Sequence, residues 1–256
     1  MTARMPAVFL GHGSPMNAIE RNAFHESWIA LGRSLPQPRA VLCISAHWET
    51  HGTAVSTAER PETVHDFYGF PRALHELVYP APGAPHVARR VAELLAPVRI
   101  GLDPTQGLDH GAWGVLVGLY PQADVPVLQL SLDHDAPGEA HYALGRRLAP
   151  LREEGVLLLG SGNIVHNLRL RDPRGGPPPD WAVRFDAAVR DAVLAGEHRR
   201  LARVDGFGHD AALAVPTPEH YWPLLYVLGA RHADEPVALF NDAVLGSISM
   251  TSVRVG

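Results

Sequence analysis

The sequence predicts a single α/β domain over residues 1–256, with a mostly parallel, partly mixed central sheet covered by helices on both faces. Three observations carry this expectation. Short apolar runs rich in β-branched residues recur along the chain, segments with apolar residues at helical spacing fall between them, and no internal repeat or composition break divides the whole. Strands interleaved with helices of this length read as βαβ units, whose parallel strands are covered on both sides and therefore look continuously apolar.

PAVFLG (6–11) reads as a short buried strand, and the stretch Ile19 to Leu35 as a helix. AVLCISAHW (40–48) is the next buried strand, followed by an edge-like TAVSTAE. HVARRVAELLAP (86–97) sets Val87, Val91, Leu94 and Leu95 at helical period and ends on Pro97. VPVLQLSLD (125–133) reads as a strand, 139–155 as a helix stopped by Gly155, and VLLLGSG (156–162) as the strand it feeds. RLRDPRGGPPPD (169–180) is too rich in Pro and Gly for regular structure. Helices are predicted at 181–195 and 218–229, and alternation in SISMTSVRV (247–255) predicts a closing strand.

Composition excludes several classes. With 46% hydrophobic and 19% charged residues the chain can bury a large core. A net charge of −5 and the lack of an Arg stripe give no reason to expect a nucleic-acid partner. No apolar run approaches the roughly 18–20 residues of a membrane span, and the N-terminal apolar stretch is too short for a signal peptide. A cytoplasmic protein without a membrane partner is the expectation, and the reading admits a homo-oligomer. The single cysteine, Cys43, lies inside an apolar strand and reads as a small buried hydrophobe. Any metal must then be held by histidines and carboxylates.

Fifteen histidines supply such a site, and four of them stand where a buried segment ends or a helix begins. His12 in GHGSP and His47 in SAHW follow apolar strands directly. In α/β sheets the carboxyl ends of strands form the crevice where ligands collect. His166 in GSGNIVHNL follows a strand through small residues that open space. His220 in TPEHYWPLL reads as first-turn helix, with Thr217 as N-cap and Pro218 at the first position. Imidazoles from these four places meeting at one crevice would suit a borderline divalent metal. His110 in GLDHGAWG stands ahead of a small-residue turn, and His65 in TVHDFYGFP lies in an aromatic loop whose Phe67, Tyr68 and Phe70 could cover a flat substrate. The remaining histidines read mostly as solvated.

Taken in order, GHGSP, SAHW, TVHDFYGFP, DHGAWG, GSGNIVHNL and PTPEHYWPLLYVLGA resemble the class III extradiol ring-cleaving dioxygenases, and within them the 4,5-DOPA extradiol dioxygenase-like group. These are relatives of the catalytic B subunit of protocatechuate 4,5-dioxygenase. The resemblance runs from about Met5 to the C-terminal strand. It implies one non-haem Fe(II), or Zn(II) in protein isolated with that metal, and a catechol cleaved with O₂. By matching motifs His12 and His47 would be metal ligands. The third falls between Glu219 and His220, with His220 favoured. His166 matches the family's catalytic histidine and would also approach the metal closely enough to count as a fourth ligand in a zinc form. His110 matches a second active-site histidine, and His65 a substrate-side residue.

Two other functions use the same histidines: a zinc hydrolase that makes hydroxide from bound water, and a metal carrier that closes its coordination shell. The resemblance over the whole chain favours the dioxygenase. Arg72, Arg169 and Arg171 are candidates to meet a substrate carboxylate, although each reads more simply as a solvated charge.

Overall fold

Six strands form the central sheet: β1 (Ala7–Gly11), β2 (Ala40–Ser45), β3 (Val127–Gln129), β4 (Val156–Gly162), β5 (Val237–Phe240) and β6 (Ser252–Val255). The computed structural model describes residues 4–172 and 174–256. Their spatial order is β3-β2-β4-β1-β6-β5. The first four strands run parallel, and β6 is antiparallel to both of its neighbours. The sheet is thus mostly parallel and mixed at one side, as the sequence predicts.

Alternation along each strand feeds two separate cores. Phe9, Leu42, Ile44, Leu128 and Leu158 face one side, where α2 (Pro85–Leu95), α4 (Gly138–Leu148), α5 (Asp180–Ala195) and α6 (Trp222–Gly229) pack. Val8, Leu10, Val41, Cys43 and Leu159 face the other, against α1 (Ala23–Ser34) and α3 (His110–Leu119). Burial on both sides is why these strands read as unbroken apolar runs. Cys43 is fully buried and free of any disulfide.

Several boundaries differ from the sequence reading, each for a local reason. The helix expected from Ile19 begins at Ala23, because the Asn22 side chain accepts from the Phe24 and His25 amides and caps it there. The segment 139–155 breaks into α4 and a short helix Pro150–Glu153, since proline cannot donate into a continuing helix. The expected closing strand splits: Ile248–Ser249 pairs with Val244–Leu245, and only β6 joins the main sheet. The stretch 169–180 holds no more than the end of a short 3₁₀ turn, Leu168–Leu170, and the first residue of α5, with Pro173 outside the described residues.

At the sheet edge opposite the histidines, Arg152 is fully buried. Its guanidinium donates to both carboxylate oxygens of Glu235 at 2.6 and 2.7 Å, to Ala230 O at 2.7 Å and to Met5 O at 2.7 Å. Removing one member of such a pair strands the other in low dielectric. Arg152→Ala is expected to cost about 3–5 kcal/mol, read as a lower urea midpoint at unchanged slope. A loss under about 1 kcal/mol would mean that Glu235 finds water once its partner is gone.

Candidate metal centre

Three adjacent parallel strands deliver the site. β2, β4 and β1 all end at the same sheet edge, with Gly11 opposite Gly162 and Ser45 opposite Ser161. His12 follows β1 directly, His47 stands two residues past β2, and His166 follows β4 across a short loop. His110 opens α3, and His220 occupies the turn before α6. That last placement corrects the sequence reading. The helix starts at Trp222, and Thr217 gives its hydroxyl to Glu219 instead of capping.

Two glycines permit the close approach. A Cβ on Gly162 would lie 2.1 Å from His220 O, so the loop bearing His220 reaches the strand only because that position lacks a side chain. A Cβ on Gly111 would meet Ser45 Oγ at 2.5 Å and the His47 ring at 2.8 Å. Either substitution forces backbone or ring out of place.

The rings of His12, His47 and His220 form a nearly equilateral triangle, with centroids 5.0 to 5.3 Å apart. Nε2 of His47 and Nε2 of His12 lie 3.3 Å apart. That is close to the separation, about 3.3 Å, of two imidazole nitrogens each some 2.0–2.1 Å from one tetrahedral ion. Ligand atoms from the three residues all lie within 4.8 Å of one another.

Hydrogen bonds fix which nitrogen faces inward. Ser161 Oγ donates its only proton to Gly111 O, so it accepts from His12 Nδ1 at 3.0 Å, and the lone pair of His12 sits on Nε2. His220 Nδ1 donates to Glu219 Oε1 at 2.9 Å, which leaves its buried Nε2 with no hydrogen-bond partner. His47 turns Nδ1 toward Asp66 Oδ2 at 3.5 Å. An oxygen behind each imidazole is the usual support of a ligating histidine. The donor set fits a borderline divalent cation such as iron or zinc. His220 groups with His12 and His47, and Glu219, behind His220 Nδ1, groups with His166 and His220.

Two further imidazoles border the triangle. His166 stacks on His220 with centroids 3.5 Å apart and planes 10° from parallel. His110 lies 3.9 Å from His47 by centroids. Asp66, which the sequence reading passed over, is the residue that holds His110. Its Oδ1 accepts the His110 amide at 2.9 Å, and Oδ2 lies 2.9 Å from His110 Nδ1, off the line of a straight hydrogen bond. Its only sequence signal is an acid beside His65. Asp109 caps α3 through the Ala112 amide, and its carboxylate also receives Ser45 Oγ at 2.6 Å and Gln129 Nε2 at 2.7 Å. A strand-end serine thereby sets where His110 begins its helix.

Burial first, and then neighbouring imidazoles, hold His12, His47, His166 and His220 neutral. Burial and His110 lower His47 to about 3 against the pull of Asp66 and Glu219. Burial lowers His166 to about 4, and His12 and His220 fall well below the ordinary histidine value. Asp66 is pushed up by its burial but more strongly held down by His110, so it stays ionised. Neutral imidazoles are the form that binds a metal.

These five histidines line one cavity of about 380 Å³, with Phe67 and Phe70 on its wall. His65 lies outside it. Its Nε2 donates to Leu77 O at 3.0 Å, and it faces a separate surface pocket. Tyr68 is 93% exposed, so only part of the aromatic loop addresses the cavity. His141, read as solvated, is fully buried and stacked on Trp222 at 4.2 Å.

An α/β sheet with imidazoles converging at its strand ends defines an enzyme framework with a cluster able to hold a metal ion. Residues 3–254 match the catalytic LigB subunit of aromatic ring-opening dioxygenase, and the chain belongs to that family. It is 48% identical over its whole length to the 4,5-DOPA dioxygenase extradiol of Escherichia coli K12, covering 96% of that protein. The protein of the same name from Beta vulgaris is 39% identical, with 94% of this chain and 92% of the relative covered. An uncharacterized protein of Escherichia coli K12, known from its crystal structure, superposes with a TM-score of 0.87 at 44% identity. The match covers 99% of this chain and all of that one. Among the described residues no helix is long and apolar enough to cross a membrane.

Proposed function

We propose that this protein opens the ring of a catechol beside one of its two hydroxyls, inserting both atoms of O₂ to give a semialdehyde. The observation that carries this reading is the division of five imidazoles on one cavity. Three converge, His12 and His47 with Nε2 atoms 3.3 Å apart and His220 with an unpartnered Nε2, and two stand beside them lining the same cavity. A hydrolytic zinc site would use the first three together with a general base, so what favours ring opening over hydrolysis is the aromatic wall of Phe67 and Phe70 and membership of a ring-opening dioxygenase family. The E. coli and Beta vulgaris relatives carry the name 4,5-DOPA dioxygenase extradiol, which favours a DOPA-like catechol.

His12, His47 and His220 would hold Fe(II), which when bound supplies a common anchor for both catechol oxygens and O₂. His166, neutral before substrate arrives, accepts a catechol hydroxyl proton at its ring nitrogen. His110, backed by Asp66, is the second group able to hold a proton beside the reacting ring. Phe67 and Phe70 present apolar faces that orient the ring and keep water from it. His65 contacts no substrate in this reading and serves to pin the aromatic loop to Leu77 O.

Anaerobic loading with one equivalent of Fe(II), followed by a catechol panel in an oxygen electrode, tests the proposal. The expected result is one O₂ consumed per catechol, with a yellow ring-opened product. No uptake with any catechol, together with ester or amide hydrolysis by the zinc form, would replace it with a hydrolase.

A further inference from the structure

We infer that Arg171 is a specificity-determining residue at the mouth of this cavity, receiving a carboxylate that the substrate ring carries on a short side chain; the inference rests on the ring-opening reading above. The cavity is larger than a bare ring requires. About 150 Å³ holds a benzene, and this space measures about 380 Å³. Beyond the histidines the lining includes Leu168, Leu245 and Arg171, all three solvent-exposed.

Arg171 is the one cationic side chain on the lining among the described residues, and no carboxylate pairs with it there. The acid of the lining, Asp66, is committed to His110 at the floor. Leu168 and Leu245 are 56% and 53% exposed, an apolar collar that an aliphatic side chain would cover. Arg171 is also presented from an anchored turn. Asn167 donates through Nδ2 to Leu213 O at 2.7 Å and through its amide to Ser247 O at 3.0 Å. Asn167 Oδ1 then receives the Arg169 amide at 3.1 Å, and the Arg171 amide closes on Leu168 O at 3.3 Å. Arg72, by contrast, is engaged with Glu76, and Arg169 does not line the cavity. A guanidinium meets a carboxylate through two parallel N–H bonds, which a neutral amide does not reproduce.

The test compares 3-(3,4-dihydroxyphenyl)propionate with its neutral amide on wild type, Arg171→Met and Arg171→Lys. Anaerobic calorimetry on the metal-loaded protein measures binding, and the oxygen electrode measures kcat/KM separately. Wild type is expected to bind the propionate about tenfold more tightly than the amide, with the gap closed in Arg171→Met and partly kept in Arg171→Lys. Added salt should shrink the gap in wild type and in Arg171→Lys but not in Arg171→Met. Equal binding of both probes by wild type, or a preference that survives in Arg171→Met, overturns the assignment. If an Arg171-dependent preference appears without O₂ uptake, the ring-opening reading falls and the carboxylate anchor stands. If both probes are opened equally well by wild type, the anchor falls and the reading stands.

Discussion

His47→Ala is expected to lower bound metal from about one equivalent to a tenth or less, while His166→Gln keeps the metal and loses ring opening by about 10²–10⁴-fold. The two outcomes diverge because the two imidazoles occupy different places around the same cavity. His47 shares an Nε2-to-Nε2 separation of 3.3 Å with His12, so its loss removes one corner of the triangle. His166 lies flat against His220, outside that triangle, with burial keeping it neutral and ready to accept a proton. Glutamine keeps a polar group of similar reach but takes up no proton at neutral pH. Glu219→Gln falls between them: it weakens the support behind His220 Nδ1 and should reduce metal affinity about 10- to 100-fold without abolishing it. Elemental analysis after Fe(II) or Zn(II) loading, read beside turnover, separates the three. Full metal content in His47→Ala would remove that residue from the ligand set, and turnover near wild type in His166→Gln would end its role as base.

The sheet was readable because parallel strands covered on both faces leave a signature that needs no partner information: AVFLG, AVLCIS and VLLLGSG are buried at every position and, Ser45 and Ser161 aside, hold only apolar residues and glycine. The strand-end histidines were readable for the same reason, since the end of such a run marks the sheet edge. Asp66 was not. Its function depends on a loop folding back over the start of α3, 44 residues further on, and an acid in a Pro- and Gly-bounded loop carries no mark of that. The start of α6 was misread because Thr217 and Pro218 make a good local capping pattern, yet the tight passage of His220 O beside Gly162 holds those residues in turns. Local chemistry proposed a cap there and the tertiary contact overrode it. His65 and His141 mark the same limit from the other side. A histidine's exposure is decided by what packs on it, Trp222 in one case and the Leu77 carbonyl in the other.

Between pH 7.5 and pH 5 the metal-free protein is expected to lose several kcal/mol of stability. His12, His47, His166 and His220 all have folded-state values well under the unfolded value of about 6.5, because burial and mutual repulsion oppose their charging. The unfolded chain therefore binds more protons as soon as the pH falls through 6.5. Stability present above that value is lost progressively until the folded imidazoles titrate, His166 at about 4 and His47 at about 3. At about 1.4 kcal/mol per pH unit, each such histidine costs roughly 2 kcal/mol by pH 5, and the four together set an upper bound of about 8 kcal/mol. Buried Asp109 and Asp186, both raised by desolvation, run the opposite way and reduce the loss. What remains is a large share of the 5–15 kcal/mol that holds a domain together. Urea midpoints of chelated protein across this pH range measure it, and a flat profile would mean that the cluster is already charged or wet when folded. The metal-loaded protein should begin from a higher midpoint at pH 7.5 and converge on the metal-free curve toward pH 5, since protons and metal compete for the same Nε2 lone pairs.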